Sequence, residues 1–178
     1  LGYLFGKNLN IPAYIFMAVI VALFMGLTVS AEEIIRDRKI LKREVFLKLS
    51  RGSYLFSKTG LLFSLSAIQT ILFVLIGNYI LEIKGLTYEY WLILFSVSCF
   101  ANMLGLNISL AFNSAVTVYI LIPILLIPQL MLGGVLVKFD EINPKLTALD
   151  KVPLFGEMMA SRWAFEALSV NQFKNNAF

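Results

Sequence analysis

The sequence predicts an all-α, polytopic membrane helical bundle with four full transmembrane helices, a cytoplasmic amphipathic helix and a short extracellular helix. Three observations predict this fold class. Residues 90–137 contain no charged side chain, whereas roughly 20 apolar residues are enough to cross a bilayer. Of the 178 residues 59% are hydrophobic, and the mean hydropathy is +0.82. Only 15% are charged, and soluble domains carry about a quarter.

The uncharged stretches define the predicted transmembrane helices. Four spans are predicted, at about 11–31, 59–81, 90–112 and 115–137. We divide the long uncharged run at Asn113-Ser114, because two adjacent polar residues favour a tight turn between helices. Residues 1–178 are therefore predicted to form a single transmembrane domain.

The loop 32–58 determines the predicted orientation. It carries more than half of the chain's 15 lysines and arginines, whereas loop 82–89 carries Lys84 alone. Basic loops stay on the cytoplasmic side of a membrane, so 32–58 is predicted to be cytoplasmic and segment 138–178 extracellular. The protein is then a multi-pass protein of the plasma, or bacterial inner, membrane. We expect no nucleic-acid partner, because the basic residues lie beside the spans, where they set the orientation in the membrane.

Within that loop, residues 31–51 are predicted to form an amphipathic helix. Ser30 and Glu33 match the Ser-x-x-Glu capping box at its start, and apolar residues recur on one of its faces. Gly52 is the predicted stop, and Ser53 is the predicted cap of the next helix. Two interpretations remain open: a basic helix lying on an anionic membrane surface, or a docking element for a partner protein.

Polar side chains interrupt two of the predicted spans. They include Gln69, Asn102 and Asn107, while no Asp, Glu, Lys or Arg lies within any span. Amides inside a membrane bond to neighbouring helices, so we interpret these three as structural contacts in preference to a substrate site. The lack of ionisable residues in the spans argues against an ion-driven carrier.

The last part of the chain combines prolines with a short helix. Pro123 and Pro128 lie inside the fourth span, and each removes a backbone hydrogen bond. This span is either a kinked, closely packed helix or a flexible helix that lines a gate. Residues 158–170 are predicted to form a short helix at the outer interface or dipping into it. Arg162 and Glu166 have the spacing of an ion pair on one helical face.

The sequence contains no motif for catalysis or nucleotide binding. Gly2 to Asn8 partly matches a phosphate-binding loop, but the glycines are one residue too close and Asn8 stands where Ser or Thr is required. Cys99 is the single cysteine and there is no histidine, so no disulfide or metal site is expected. This segment is therefore predicted not to be an enzyme and to hold no cofactor.

Four stretches resemble the permeases of type-2 ABC exporters, most closely the G-subfamily, or White-like, group. They are Arg36-Asp37-Arg38 with Arg43-Glu44 and residues 53–58, then Gly105 to Ser109, then Pro128-Gln129 with Gly133-Gly134, and finally Ser161 to Glu166. Their order and spacing cover essentially the whole chain.

The resemblance implies the permease part of an ATP-driven transporter, exporting a lipid-like or amphipathic substrate as a homodimer or heterodimer within membrane lipid. Family members have six spans, so the chain would cover the second to the fifth, with most of the first span missing and the sixth lying after residue 178. ATP and Mg²⁺ would bind an ATP-binding domain, on the same chain or on a separate subunit. The alternative is a non-transporting membrane scaffold or anchor subunit.

The resemblance also implies two sets of site residues. The amphipathic helix would be the coupling element that rests on the ATP-binding domain. The residues assigned to coupling are Lys42, Arg43, Glu44, Tyr54 and Lys58. The substrate cavity would lie between two copies of the first and fourth predicted spans. Its candidate lining residues, which alternatively face lipid, are Phe16, Phe24, Val118, Ile122 and Leu126.

Replacing Glu44 or Arg43 by alanine is expected to uncouple ATP hydrolysis from transport, because the helix loses a charged group that it presents to the motor domain. Membrane insertion should not change. Both rates are measured on the same reconstituted vesicles. Normal coupling in the two variants would count against the assigned coupling helix.

Overall fold

The computed structural model describes residues 10–44, 50–81, 83, 85–131, 133 and 154–174. Within these residues every regular element is a helix, in agreement with the predicted all-α class. The helices are α1 (Asn10–Ala31), α2 (Glu33–Glu44), α3 (Arg51–Leu81), α4 (Thr87–Ala111), α5 (Ala115–Met131), α6 (Leu154–Glu157) and α7 (Ala160–Lys174).

Three helical segments are long and apolar enough to cross a membrane. They are Ile11–Arg38, Gly52–Leu81 and Thr87–Ala111. Helix α5 has 17 residues, which corresponds to about 26 Å. Apart from Gly133, the remainder of its predicted span lies outside the described residues, so the fourth full crossing stays a prediction. The predicted division at Asn113-Ser114 is confirmed, because α4 ends and α5 begins on either side of it.

Helices α1 and α4 form the centre of the bundle, and small residues bring them together. Small, buried residues recur at every fourth position of α1: Ala18, Ala22, Gly26 and Ser30. This spacing places them on one helical face and lets two membrane helices approach closely. A Cβ atom added at Gly26 would lie 2.7 Å from the Cβ of Ala101 and 2.8 Å from the carbonyl oxygen of Ser98. The two backbones are therefore almost in contact.

The remaining helices surround this pair. Helix α3 packs on α4, α5 packs on α1, and α7 contacts α1, α4 and α5. The buried hydroxyl of Tyr90, in the first turn of α4, donates to Oε1 of Gln172 near the end of α7, at 2.6 Å. Helix α7 therefore lies beside the half of the bundle that is opposite to α2. The predicted pair of Arg162 and Glu166 is present, with 3.9 Å between Nη2 and Oε2.

Two predicted helix starts are wrong. Ser30 lies inside α1, and its hydroxyl donates to the carbonyl of Gly26 at 2.6 Å instead of capping α2. Gly52 and Ser53 are not a stop and a cap, because α3 already begins at Arg51. The cap of α3 is Ser50, whose Oγ accepts the N–H of Ser53 at 3.2 Å.

The substitution Gly26→Val is expected to destabilise the bundle by roughly 1–3 kcal/mol, because it overfills the contact between α1 and α4. Gly60→Val is the matched control, since nothing lies within 4 Å of a Cβ atom at that position. Both variants are unfolded with increasing SDS in mixed micelles and compared by midpoint. Equal midpoints for the two variants would contradict the close approach of α1 and α4.

Candidate coupling interface

Helix α2 lies at the end of the bundle where α1 and α4 end and α3 begins. A single turn residue, Glu32, separates α2 from α1. The side chain of Ile34 on α2 is buried in a small apolar cluster with Leu62 of α3 and Leu106 of α4. Three helices of the bundle therefore meet at α2.

The beginning of α2 is capped by a side chain from α4. The first N–H groups of a helix have no acceptor within the helix and need one from elsewhere. Oγ of the buried Ser109 accepts the N–H groups of Ile34 and Ile35, each at 3.1 Å. Ser109 thus has the role that the capping-box pattern assigned to Ser30. Because the two partners lie far apart in sequence, no local pattern identifies this cap.

The end of α4 is capped in turn by a side chain from α2. Nη2 of Arg38 donates to the carbonyl oxygens of Ser109 at 3.2 Å, Leu110 at 2.8 Å and Phe112 at 2.9 Å. Carbonyl groups in the last turn of a helix lack internal donors, and a cation there also interacts favourably with the helix dipole. Each of the helices α2 and α4 therefore supplies hydrogen-bond partners to the unpaired backbone groups at one end of the other.

A cluster of charged residues joins α2 to the first turns of α3. Nζ of Lys58 lies 2.6 Å from Oε1 of Glu33 and 2.7 Å from Oδ2 of Asp37. The hydroxyl of Tyr54 donates to the same oxygen of Asp37 at 3.0 Å. The three charged side chains are only 16% to 19% exposed. Water and salt therefore screen these ion pairs less than pairs on an open surface.

The opposite face of α2 is open. The side chain of Arg36 is 69% exposed, and its Nη2 pairs with Oε2 of Glu33 one turn away, at 2.8 Å. Ile40 is also exposed. This face therefore leaves a cation and an apolar side chain exposed.

The predicted coupling residues divide into two groups. Tyr54 and Lys58 face α2 and hold it against α3, so their polar groups do not point away from the bundle. The side chains of Lys42, Arg43 and Glu44 lie outside the described part of the chain. Arg38 and Ser109 are contacts of the interface that the coupling assignment did not include.

The predicted cavity residues do not share one surface. Four of them are buried in the packing of a single chain: Phe16, Val118, Ile122 and Leu126. The ring of Phe16, for example, lies edge-on to Phe165 of α7, with 6.4 Å between the ring centres. Phe24 is 47% exposed. The four buried side chains pack in the core of one chain, and a lining role for the five residues between two copies stays a prediction.

The polar residues of the spans have different surroundings. Nδ2 of Asn102 donates to Oγ of Ser66 at 2.8 Å, which joins α4 to α3. Asn107 is exposed, and its amide donates to the carbonyl of Met103 on its own helix, so among the described residues it does not join two helices. Gln69 makes no hydrogen bond to another described residue.

The groups at this interface suit mechanical attachment. The carboxylates of Glu33 and Asp37 are both paired with Lys58. Within the described residues, no group of His, Cys, Asp and Glu side chains is arranged to hold a metal ion. The contacts can therefore transmit a displacement of α2 to α3 and α4.

A protein-family model described as ABC-2 type transporter matches residues 1–173. No curated protein and no solved structure matches the chain. The family match includes α2 and every helix that α2 contacts.

The substitution Ser109→Ala is expected to loosen the beginning of α2. Loss of a helix cap costs about 1 kcal/mol, so amide exchange at Ile34 and Ile35 should become about fivefold faster. Ser96→Ala is the matched control, because the hydroxyl of Ser96 is exposed and bonds only within α4. The measurement is hydrogen–deuterium exchange in detergent micelles. Unchanged exchange in the Ser109 variant would refute the cap.

Proposed function

The chain belongs to the ABC-2 type transporter family, and on that premise we propose that it is the permease of an ATP-driven exporter in which an ATP-binding domain acts on α2. ATP and Mg²⁺ would be bound by that domain. The observation that carries this proposal is the attachment of α2 to α3 and α4 through Lys58, Arg38 and Ser109.

The packing of α2 favours a docking element over a helix lying on the membrane surface. A surface helix buries its apolar face among lipid chains. In α2 the apolar residue Ile34 is instead buried against Leu62 and Leu106 of the bundle. The face that stays open carries Arg36 and is available to another protein.

Transport requires that a small movement at α2 changes the arrangement of the spans. ATP binding would close a pair of ATP-binding domains and displace α2 in each of two permease chains. The contacts of Arg38 with α4 and of Lys58 with α3 would carry that displacement into the bundle. The cavity between two such chains would then switch between inward-facing and outward-facing states.

The surfaces of the spans support a lipid-like or amphipathic substrate and a dimer of half-transporters. Large apolar side chains are exposed on α1, α3 and α5, including Phe24, Ile68, Leu72, Ile120 and Ile124. Such faces meet lipid, a second chain or an apolar substrate. The basic residues around α2 favour a cytoplasmic position for this end in the plasma, or bacterial inner, membrane.

The substitution Lys58→Met is expected to reduce the amount of substrate transported per ATP hydrolysed severalfold, because α2 loses its ion pairs to α3 and the carboxylates of Glu33 and Asp37 repel each other. Lys58→Arg keeps a cation and should retain most of the coupling. Transport and ATP hydrolysis are measured with the complete transporter in vesicles.

Lys174→Gln is the control for the Lys58 variant, because it removes an exposed cation in the last turn of α7, on the half of the bundle opposite to α2. It should leave the transport-to-ATP ratio near that of the parent. Full coupling in Lys58→Met, with normal amounts of inserted protein, would reject α2 as the coupling element.

A further inference from the structure

The cations described at the α2 end of the bundle differ in how they are paired. The ammonium of Lys58 bridges the carboxylates of Glu33 and Asp37, and its side chain is 17% exposed. The guanidinium of Arg38 donates to three carbonyl oxygens at the end of α4. The side chain of Arg36, in contrast, is 69% exposed. Among these three, Arg36 is therefore the cation that another molecule reaches most easily.

The pairing of Glu33 holds Arg36 in place and also allows its release. One carboxylate oxygen of Glu33, Oε2, lies 2.8 Å from Nη2 of Arg36, and the other, Oε1, lies 2.6 Å from Nζ of Lys58. A largely buried carboxylate without a counter-ion is costly. Glu33 keeps Lys58 as its counter-ion when the guanidinium turns away. Arg36 can therefore exchange Glu33 for an anion on a partner.

An exposed apolar side chain lies beside this cation. Ile40 follows Arg36 by four residues, so the two share one face of α2. Ile40 is 54% exposed. A lone exposed isoleucine is common on protein surfaces, but here it lies next to the reachable cation. The two side chains together form a small contact surface that is positively charged on one side and apolar on the other.

We propose that Arg36 and Ile40 dock α2 on the ATP-binding domain, at a surface that provides a carboxylate for Arg36 and an apolar hollow for Ile40. The inference rests on the proposed function, because it gives the chemistry of the partner that acts on α2. Neither residue belongs to the set assigned to coupling from the sequence. Charge complementarity selects an acidic partner surface.

The structure favours a protein over the membrane surface as the partner of this face. A helix held by lipid buries an apolar stripe along its length. In α2 the apolar Ile34 is already buried against Leu62 and Leu106 of the bundle. Among the described residues of α2, Ile40 is the exposed large apolar side chain. One such side chain next to a cation suits a hollow in a folded domain better than a bilayer.

The experiment places the photoreactive residue p-benzoylphenylalanine at position 40 of the complete transporter, in lipid nanodiscs without ATP. Irradiation is expected to cross-link position 40 to the ATP-binding domain, and mass spectrometry of the cross-linked peptides maps the contact. The mapped surface should contain an aspartate or a glutamate. The same residue in place of Tyr79, which is 87% exposed near the opposite end of α3, is the control and should not reach that domain.

Variants of Arg36 test the proposed ion pair. Arg36→Lys keeps the cation and should retain most of the cross-linking, whereas Arg36→Gln should lower it. Arg36→Glu should lower it about three- to tenfold, because attraction becomes repulsion. Replacing the mapped acidic residue by lysine should restore cross-linking in the Arg36→Glu variant. Lys174→Glu reverses an exposed charge in the last turn of α7 and should leave the yield unchanged.

Three results would overturn the inference. Cross-linking of position 40 to lipid alone identifies the membrane as the partner of this face. Cross-linking to a second copy of the chain identifies a contact between two permeases. Equal yields in the parent and in Arg36→Glu exclude the ion pair. Because no ATP is present, these results are independent of the coupling tests, and full coupling in Lys58→Met with normal cross-linking would reject only the proposed role of α2 in coupling.

Discussion

Backbone N–H and C=O groups at helix ends must find partners even where lipid replaces water, and this requirement organises the bundle. The end of α4 and the beginning of α2 satisfy each other through Arg38 and Ser109. The end of α5 and the beginning of α7 do the same. Ser161 donates its hydroxyl to the carbonyl of Gln129 at 2.6 Å and its N–H to Oε1 of that residue at 3.1 Å. Hydrogen bonds, as well as apolar packing, therefore hold α2 and α7 in place.

Between the long helices, close packing drives the association that hydrophobic burial drives in water. Lipid is as apolar as the helix surfaces, so association depends on tight packing and on polar contacts. Gly105 of α4 leaves room for Ser30 of α1, and Asn102 bonds to Ser66 of α3. Helix α4 is thus fixed to α1 by small residues and to α3 by an amide. A displacement that reached α4 would consequently be passed on to both neighbours.

Local features of the sequence account for the first helix and for the turn after α4, and contacts between distant residues explain the errors. The span 11–31 and the turn at Asn113-Ser114 follow from hydropathy and adjacent polar residues, which are local properties. The cap of α2 was assigned to Ser30 although Ser109 provides it, because any hydroxyl that reaches the free N–H groups can cap a helix. Likewise, the apolar side chain of Val118 correctly indicates burial but does not distinguish a core from a cavity wall.

The two attachments of α2 differ in stiffness, and this difference bears on how the interface transmits motion. The guanidinium of Arg38 is a rigid, planar donor that contacts three carbonyl groups at the end of α4. Rotation of α2 would break these bonds unless α4 moved with it. Lys58 is a point charge on a flexible stem, and it bridges two carboxylates one turn apart. Its ammonium can keep one carboxylate while it releases the other. Helix α2 is therefore expected to move together with α4 and to slide relative to α3, so α4, in contact with α1, carries the displacement into the centre of the bundle.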